Sequence, residues 1–303
     1  MNAMQSASVH QTQVAVIGAG NMGGAMLARL CEAGWAVSVC DVDPVRQAQA
    51  VACGAQAQPT PWAAVQGLAP DGVVLIAVVD AAQTWAVLTG AQGALAGLKP
   101  GHTVMLCPTL SPQDVIEVGA RLRSVGVHCI DAPMSGGPAR ARDGSMSLML
   151  ACDDAVFERH AALVQTLSHK IFRISAQVGD GAKTKLVNNL LAAIHLTGAA
   201  EALALAERLG LNPNTTLAVM AQSSGQSWIA SDRMPRALAG DFAPRAHVTL
   251  LEKDTRLAMD MAGAAGFDAA LGALARDAFA QASAGGLAQE DDAALLKWMR
   301  LHR

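Results

Sequence analysis

The sequence predicts an α/β domain built on a parallel sheet, followed by an all-α domain, with a long helix joining the two. Three observations predict it. Short apolar runs alternate with helical stretches through the first half of the chain. A glycine-rich turn separates the first apolar run from the first helix. From residue 182 onward the pattern is helical, with no convincing strand. The change of pattern near residue 177 places the domains at 1–176 and 177–303.

The strand candidates are 13–18, 36–41, 73–79, 103–107, 127–132 and 146–151. They are short, apolar and not alternating, which marks strands buried on both faces and hence a parallel sheet covered by helices. The first helical stretch, 22–34, is closed by Gly34 as its C-terminal cap. In the second half, helical runs cover roughly 182–209, 213–223, 226–239, 248–265, 268–284 and 290–301. The first of these is near the upper limit for a globular helix, so it is expected to run through the core of the second domain.

Composition limits what the chain can be. Its 303 residues suffice for two domains and a sizeable core. With 52% hydrophobic and 16% charged residues it is a packed protein, not a disordered one. A net charge of −3 leaves no basic footprint, which argues against nucleic acid and against an anionic membrane as partners. The opening MNAMQSASVHQT lacks the basic start and apolar middle of a secretion leader. The most apolar run, 73-VVLIAVV-79, is too short to span a bilayer. Six cysteines form no CxxC pair and read as reduced, buried thiols of a cytoplasmic protein. Eight histidines show no HxH or HxxxH spacing, so no metal site is expected.

The segment 14-VAVIGAGNMGGAM-26 is strand, then Gly18-x-Gly20-x-x-Gly23, then helix. That context turns a weak glycine motif into the signature of a Rossmann dinucleotide-binding domain. Gly18 permits the tight turn, Gly20 lets backbone approach a pyrophosphate, and Gly23 lets helix and strand pack closely. Asn21 and Met22 stand between them, at the helix start whose free N–H groups face the phosphates. Asp41 ends the second strand, eighteen residues past Gly23. A carboxylate there accepts hydrogen bonds from ribose hydroxyls and repels a 2′-phosphate, so NAD is favoured over NADP. Asp43 is a rival, better suited to capping the helix that begins near Pro44.

Three further segments complete a pattern: 131-DAPMSGGPARARDGSMSLML-150, 179-GDGAKTKLVNN-189 and 252-EKDTRLAM-259. With GAGNMG, in this order and over residues 13 to 298, they resemble the β-hydroxyacid dehydrogenase family, which includes 3-hydroxyisobutyrate dehydrogenase and tartronate semialdehyde reductase. The resemblance implies oxidation of a hydroxyl on a small hydroxy acid with a nicotinamide cofactor, in a cleft between the domains, and a homodimer or homotetramer. The segments 78–83, 226–235, 240–248 and 290–297 resemble one branch of that family, the L-threonate dehydrogenases, which act next to the carboxylate of a four-carbon sugar acid.

The resemblance also implies roles. Ser135, Gly136 and Gly137 would bind the acid group of the substrate, in a loop whose backbone N–H groups can hold a carboxylate. Arg140 and Arg142 follow closely and either attract that anion or form a solvated loop face, the latter being the preferred reading. In 107-CPTLSP-112, Thr109 and Pro112 match the family's Ser-Thr-x-x-Pro, and Thr109 would contact the nicotinamide end of the cofactor; Pro108 replaces the serine. The stretch 77-AVVDA-81 lacks the family's Leu-Pro, but its backbone at Val79 can still face the cofactor. Lys253 would lie near the cofactor. Trp228 either walls the substrate pocket or is a core tryptophan.

Helical geometry separates two neighbouring lysines. At about 100° per residue, Lys185 and Asn189 lie about 40° apart on one face, with Asn188, Ala192 and Leu196 near that side. Lys183 falls instead on the stripe of Leu186, Val187, Leu190 and Ile194, so it must sit at the frayed start or snorkel outward. The family pattern Gly-x-Gly-x-x-x-Lys-x-x-x-Asn falls on Gly179, Gly181, Lys185 and Asn189. Lys185 is therefore the expected general acid/base, with a pKa lowered by desolvation, and Asn189 orients it or the substrate hydroxyl. Two rivals remain. An imine reductase would share the fold but often replaces the lysine. A dinucleotide sensor would need only the glycine loop.

Overall fold

The computed structural model describes residues 13–302. The opening dozen residues, expected to form no leader, lie outside the described part. Contacts divide the chain into two compact units that meet between Lys185 and Leu186. The sequence pattern changes nine residues earlier, and the contact boundary falls inside a continuous helix.

The first unit is a nine-stranded sheet: β1 (Val14–Ile17), β2 (Val37–Cys40), β3 (Gln56–Ala57), β4 (Val73–Ile76), β5 (Thr103–Leu106), β6 (His128–Asp131), β7 (Met134–Ser135), β8 (Ser147–Ala151) and β9 (Lys170–Ser175). Their order is β3-β2-β1-β4-β5-β6-β8-β7, with β9 also beside β8. Strands β1 to β6 are all parallel. The helices between them are α1 (Asn21–Glu32), α2 (Pro44–Ala52), α3 (Pro61–Gln66), α4 (Ala81–Thr89), α5 (Pro112–Arg123), α6 (Gly137–Asp143) and α7 (Asp154–Leu167). Successive residues of β1 enter opposite cores: Val14 and Val16 pack with Met26, Leu27 and Leu30 of α1, while Ala15 and Ile17 pack with Val115, Val118 and Leu122 of α5. This double burial explains why the strands read as unbroken apolar runs. Gly34 stands just past the cap residue Ala33, at φ +83°, where a left-handed residue ends the helix.

The sheet departs from expectation in three places. First, it is not parallel throughout: β8 runs against β6, joined through Asp131 and Ala151. The chain between them holds only β7 and the seven-residue α6, so it re-enters the sheet from the end it left. A full crossover through α7 then makes β9 parallel to β8. Second, β3, β7 and β9 carry no buried apolar run; β3 is exposed, and Phe172 of β9 is 52% exposed. Third, the run 73–79 leaves the sheet at Ile76, and Ala77 and Val78 lie against Gly18 of the glycine loop.

The second unit is helical: most of α8 (Asp180–Arg208), then α9 (Pro213–Ala221), α10 (Trp228–Leu238), α11 (Val248–Ala264), α12 (Ala270–Ala282) and α13 (Leu295–His302). The expected helix over 290–301 begins instead as a 3₁₀ turn at Asp292–Ala294. By length and composition α8 could cross a membrane. Its apolar face is used otherwise, since Ala193, Leu196, Ala200 and Leu203 pack in one core with Met234, Val248, Phe279 and Leu296. Val187, placed on the buried stripe by sequence, is 61% exposed, so the buried line of α8 runs through Lys185, Asn189, Ala193 and Leu196.

Three of the segments that carried the finer resemblance meet in this unit through buried charge. Arg233 pairs with Asp292 at 2.6 Å and Arg236 with Asp291 at 2.6 Å. Asp291 also accepts the backbone N–H of Arg245 at 2.8 Å and of Ala293 at 3.1 Å. Both carboxylates are buried. Pairing raises the guanidinium of Arg233 above its ordinary range despite burial.

Candidate active site

The dinucleotide loop is shaped by the absence of side chains. Gly18 has φ +93°, and a Cβ there would lie 2.7 Å from the carbonyl oxygen of Ala77. A Cβ on Gly23 would overlap the carbonyl oxygen of Gly18. Gly20 ends the loop as the cap residue of α1, ahead of Asn21 and Met22 on its first turn. Only the guanidinium of Arg46 crowds the Cβ position of Gly20. The turn, the close helix–strand packing and the open backbone that a pyrophosphate needs are therefore all present.

Asp41 is fixed beside this loop. One carboxylate oxygen accepts the N–H of Ala19 at 2.6 Å, and the other accepts that of Asp43 at 2.8 Å. Asp43 itself caps α2, accepting from the N–H of Val45 at 2.9 Å. An open cavity of about 440 Å³ is lined by Asp41, Val42, Pro44, Gln47, Ala48, Val51 and Ala57. Apolar walls with one carboxylate at the rim suit an adenosine whose ribose hydroxyls donate to Asp41. Val79 stands exposed after β4, its N–H donating to Gln83 Oε1 at 3.1 Å. Thr109 is half-buried, two residues ahead of Ser111, which caps α5.

Ser135 ends β7, paired with Ser147 of β8. Gly136 and Gly137 follow at φ +136° and +76°, conformations that side chains rarely adopt, and Ser135 to Gly137 are only half-buried. Arg142 forms an ion pair with Glu32, which lowers the pKa of that carboxyl, so this arginine belongs to a surface contact.

On α8 the two lysines part company. Lys183 is exposed and pairs with Asp180 at 2.7 Å. Lys185 is buried, with 7% of its surface exposed, and Asn189 one turn later is 8% exposed. Asn188 is exposed and donates to Asn189 Oδ1 at 3.2 Å. Asn189 Nδ2 donates to Asp254 Oδ2 at 2.6 Å, and Lys253 Nζ lies 2.8 Å from the other oxygen of that carboxylate. The structure thus joins Asn189 and Lys253 through Asp254. Trp228 opens α10 and is 44% exposed, which removes it from the core.

Sequence reasoning missed two carboxylates. Asp254, 6% exposed, fixes Asn189 from a helix 65 positions away. Asp131, 1% exposed, accepts the N–H groups of Gly179 at 2.9 Å and Ala182 at 3.0 Å, at the start of α8. Both stand inside the family-like motifs, Asp131 at the start of DAPMSGG and Asp254 directly after Lys253. Among the described residues no three His, Cys, Asp or Glu side chains converge as metal ligands.

Known proteins match this arrangement over almost the whole chain. A family described as the NAD binding domain of 6-phosphogluconate dehydrogenase matches residues 13–175. One described as the NAD-binding part of NADP-dependent 3-hydroxyisobutyrate dehydrogenase matches residues 179–299. The chain is 38% identical to an L-threonate dehydrogenase of Cupriavidus necator over 285 residues, 94% of this chain and 95% of that protein. It is 34% identical to a 3-hydroxyisobutyrate dehydrogenase of Pseudomonas aeruginosa, over 88% of this chain and 91% of that one. A crystal structure titled 3-hydroxyisobutyrate dehydrogenase, from Salmonella typhimurium, matches with a TM-score of 0.86 at 34% identity, covering 95% of this chain and 99% of that one.

Proposed function

The chain belongs to the β-hydroxyacid dehydrogenase family, and from that premise we propose that it oxidises L-threonate or a similar four-carbon sugar acid, with Lys185 as general acid/base. The coarser activity is that of an NAD-dependent hydroxyacid dehydrogenase. The finer substrate reading is supported by the 38% identity to an enzyme of that name and by the extent of the match. 3-Hydroxyisobutyrate is the second reading, favoured by the relatives that carry that name at 34% identity. Tartronate semialdehyde stands beside it as an alternative.

NAD, when bound, supplies the hydride acceptor. Gly18, Gly20, Asn21, Met22 and Gly23 would hold its pyrophosphate and Asp41 its ribose, with Thr109 toward the nicotinamide and with the Val79 backbone and Lys253 near the cofactor. Ser135, Gly136 and Gly137 would take the substrate carboxylate, and Trp228 is a candidate wall. As the carbinol becomes a carbonyl, its hydroxyl must lose a proton. Lys185 is assigned that proton, and in the reverse direction its ammonium returns it and stabilises charge growing on oxygen. Asn189 orients the lysine or the hydroxyl, and Asp254 fixes the Asn189 amide.

One observation carries the reading: Lys185 and Asn189 are the two polar side chains buried on the otherwise apolar inner line of α8. A buried polar pair costs stability unless it is satisfied or used. The test is Lys185→Ala. NAD binding should persist while kcat falls by roughly 10² to 10⁴, the usual worth of a positioned acid/base. Turnover within a few-fold of wild type would remove Lys185 from the chemistry.

The family resemblance also makes a homodimer or homotetramer the expected state. Support comes from α8, whose outer line carries Val187, Leu191, Leu205 and, just past its end, Leu209, all more than half exposed.

A further inference from the structure

We propose that Asp131 is a positioning residue for the reaction: its buried carboxylate fastens the first turn of α8 to the end of β6 and so sets where the Lys185 ammonium stands. The proposal rests on the assignment of proton transfer to Lys185.

Asp131 is the last residue of β6 and lies 48 positions before Gly179. One of its oxygens accepts from both Gly179 and Ala182. An ordinary helix cap comes from the residue just before the helix; this one comes from the sheet, and it joins the helix to the strand rather than only closing its end. Lys185 follows Ala182 by three residues, within the next turn, so a shift of the first turn moves it directly.

The glycines of 179-GDG-181 are explained by the same contact. A Cβ on Gly181 would stand 2.9 Å from the Asp131 carboxyl and 2.9 Å from the carbonyl oxygen of Met149. Gly179 has φ +106°, and a Cβ there would meet the Ile116 side chain at 2.9 Å. Both positions let the helix start come down onto the carboxylate.

Stability does not account for the charge. Burial raises the Asp131 carboxyl to about 6, against the pull of the N–H groups of Ala182, Gly179 and Gly181. Nearby, Cys107 and Cys129 have thiols driven up by burial, Cys107 to about 12, and Asp180 opposes the ionised form. A carboxyl whose folded value lies above its ordinary 3.8 favours folding below about 3.8, and that contribution is lost as pH rises through about 6. At neutral pH the fold carries the ionised group at a cost, and an amide would escape it.

The test compares full-length Asp131→Asn, Lys185→Ala and wild type with NAD and the best hydroxy acid, at pH 5 to 8. Asparagine can accept the same two N–H groups but is neutral and less firmly bound. For Asp131→Asn we expect kcat lower by roughly ten- to a hundredfold, as for a misplaced reacting group, with KM for NAD within about twofold. The solvent deuterium isotope effect on kcat should rise, because proton transfer becomes slower. Its Tm relative to wild type should climb between pH 5 and pH 8. If kcat and isotope effect match wild type while Lys185→Ala is inactive, the positioning role is overturned and the lysine stands. An active Lys185→Ala sinks the functional reading itself. Loss of NAD binding together with a lower Tm at pH 8 reduces Asp131 to a structural residue.

Discussion

Asp254 is the residue on which the second half of the proposed site turns. It accepts from Asn189 on one oxygen and faces the Lys253 ammonium with the other. Asp254→Ala would leave Lys253, 16% exposed, without that partner and free the Asn189 amide. Breaking such a pair costs up to about 3–5 kcal/mol when fully buried, and less here where the lysine is partly wet. We predict a lower Tm and a fall in kcat of about tenfold or more, read by steady-state kinetics and thermal unfolding together. An unchanged kcat would show that Asn189 needs no anchor. This residue was not legible from sequence, because helical phase relates positions on one helix and says nothing about a partner 65 positions away. The same phase did separate Lys183 from Lys185: one is exposed and the other buried. It erred at Val187, since an apolar side chain on a helix says only that some surface covers it.

At the scale of elements, α8 presents that unanswered surface. Leu191 is 52% exposed and lies one turn past the exposed Val187 on the outer side. If a second copy of the chain covers this line, Leu191→Glu should shift the mass measured by light scattering from oligomer toward monomer, while the core of the helical unit stays folded. An unchanged mass would place the contact elsewhere. Other elements were legible in proportion to their burial. Strands β1, β2, β4 and β5 are buried on both faces and stand out as apolar runs, whereas β6 is fully buried only at Ile130 and Asp131. The two-residue β3 and β7 and the edge strand β9 have no such runs, and their pairing depends on neighbours that a local pattern does not see. The reversal at β8 follows from connection length rather than from any residue in the strand.

For the whole molecule, the order of the motifs gave the fold and the nicotinamide chemistry, because each motif answers a backbone constraint that spacing records. The glycines of the loop are an example: two of them have no room for a Cβ. Substrate choice follows different physics, since pocket walls are set by side chains brought together from distant segments. The segments that pointed to threonate illustrate the limit. Arg233, Asp291 and Asp292 in them form a buried ion network with the adjoining Arg236, so part of that likeness is shared scaffold. The central claim is therefore tested by turnover across a panel of C3 to C6 hydroxy acids, each with NAD and with NADP, together with a cyclic imine and NADPH. The highest kcat/KM is expected for L-threonate or a close four-carbon acid with NAD. Reduction of the imine without hydroxy-acid oxidation, or NAD binding with no turnover of any acid, would contradict it.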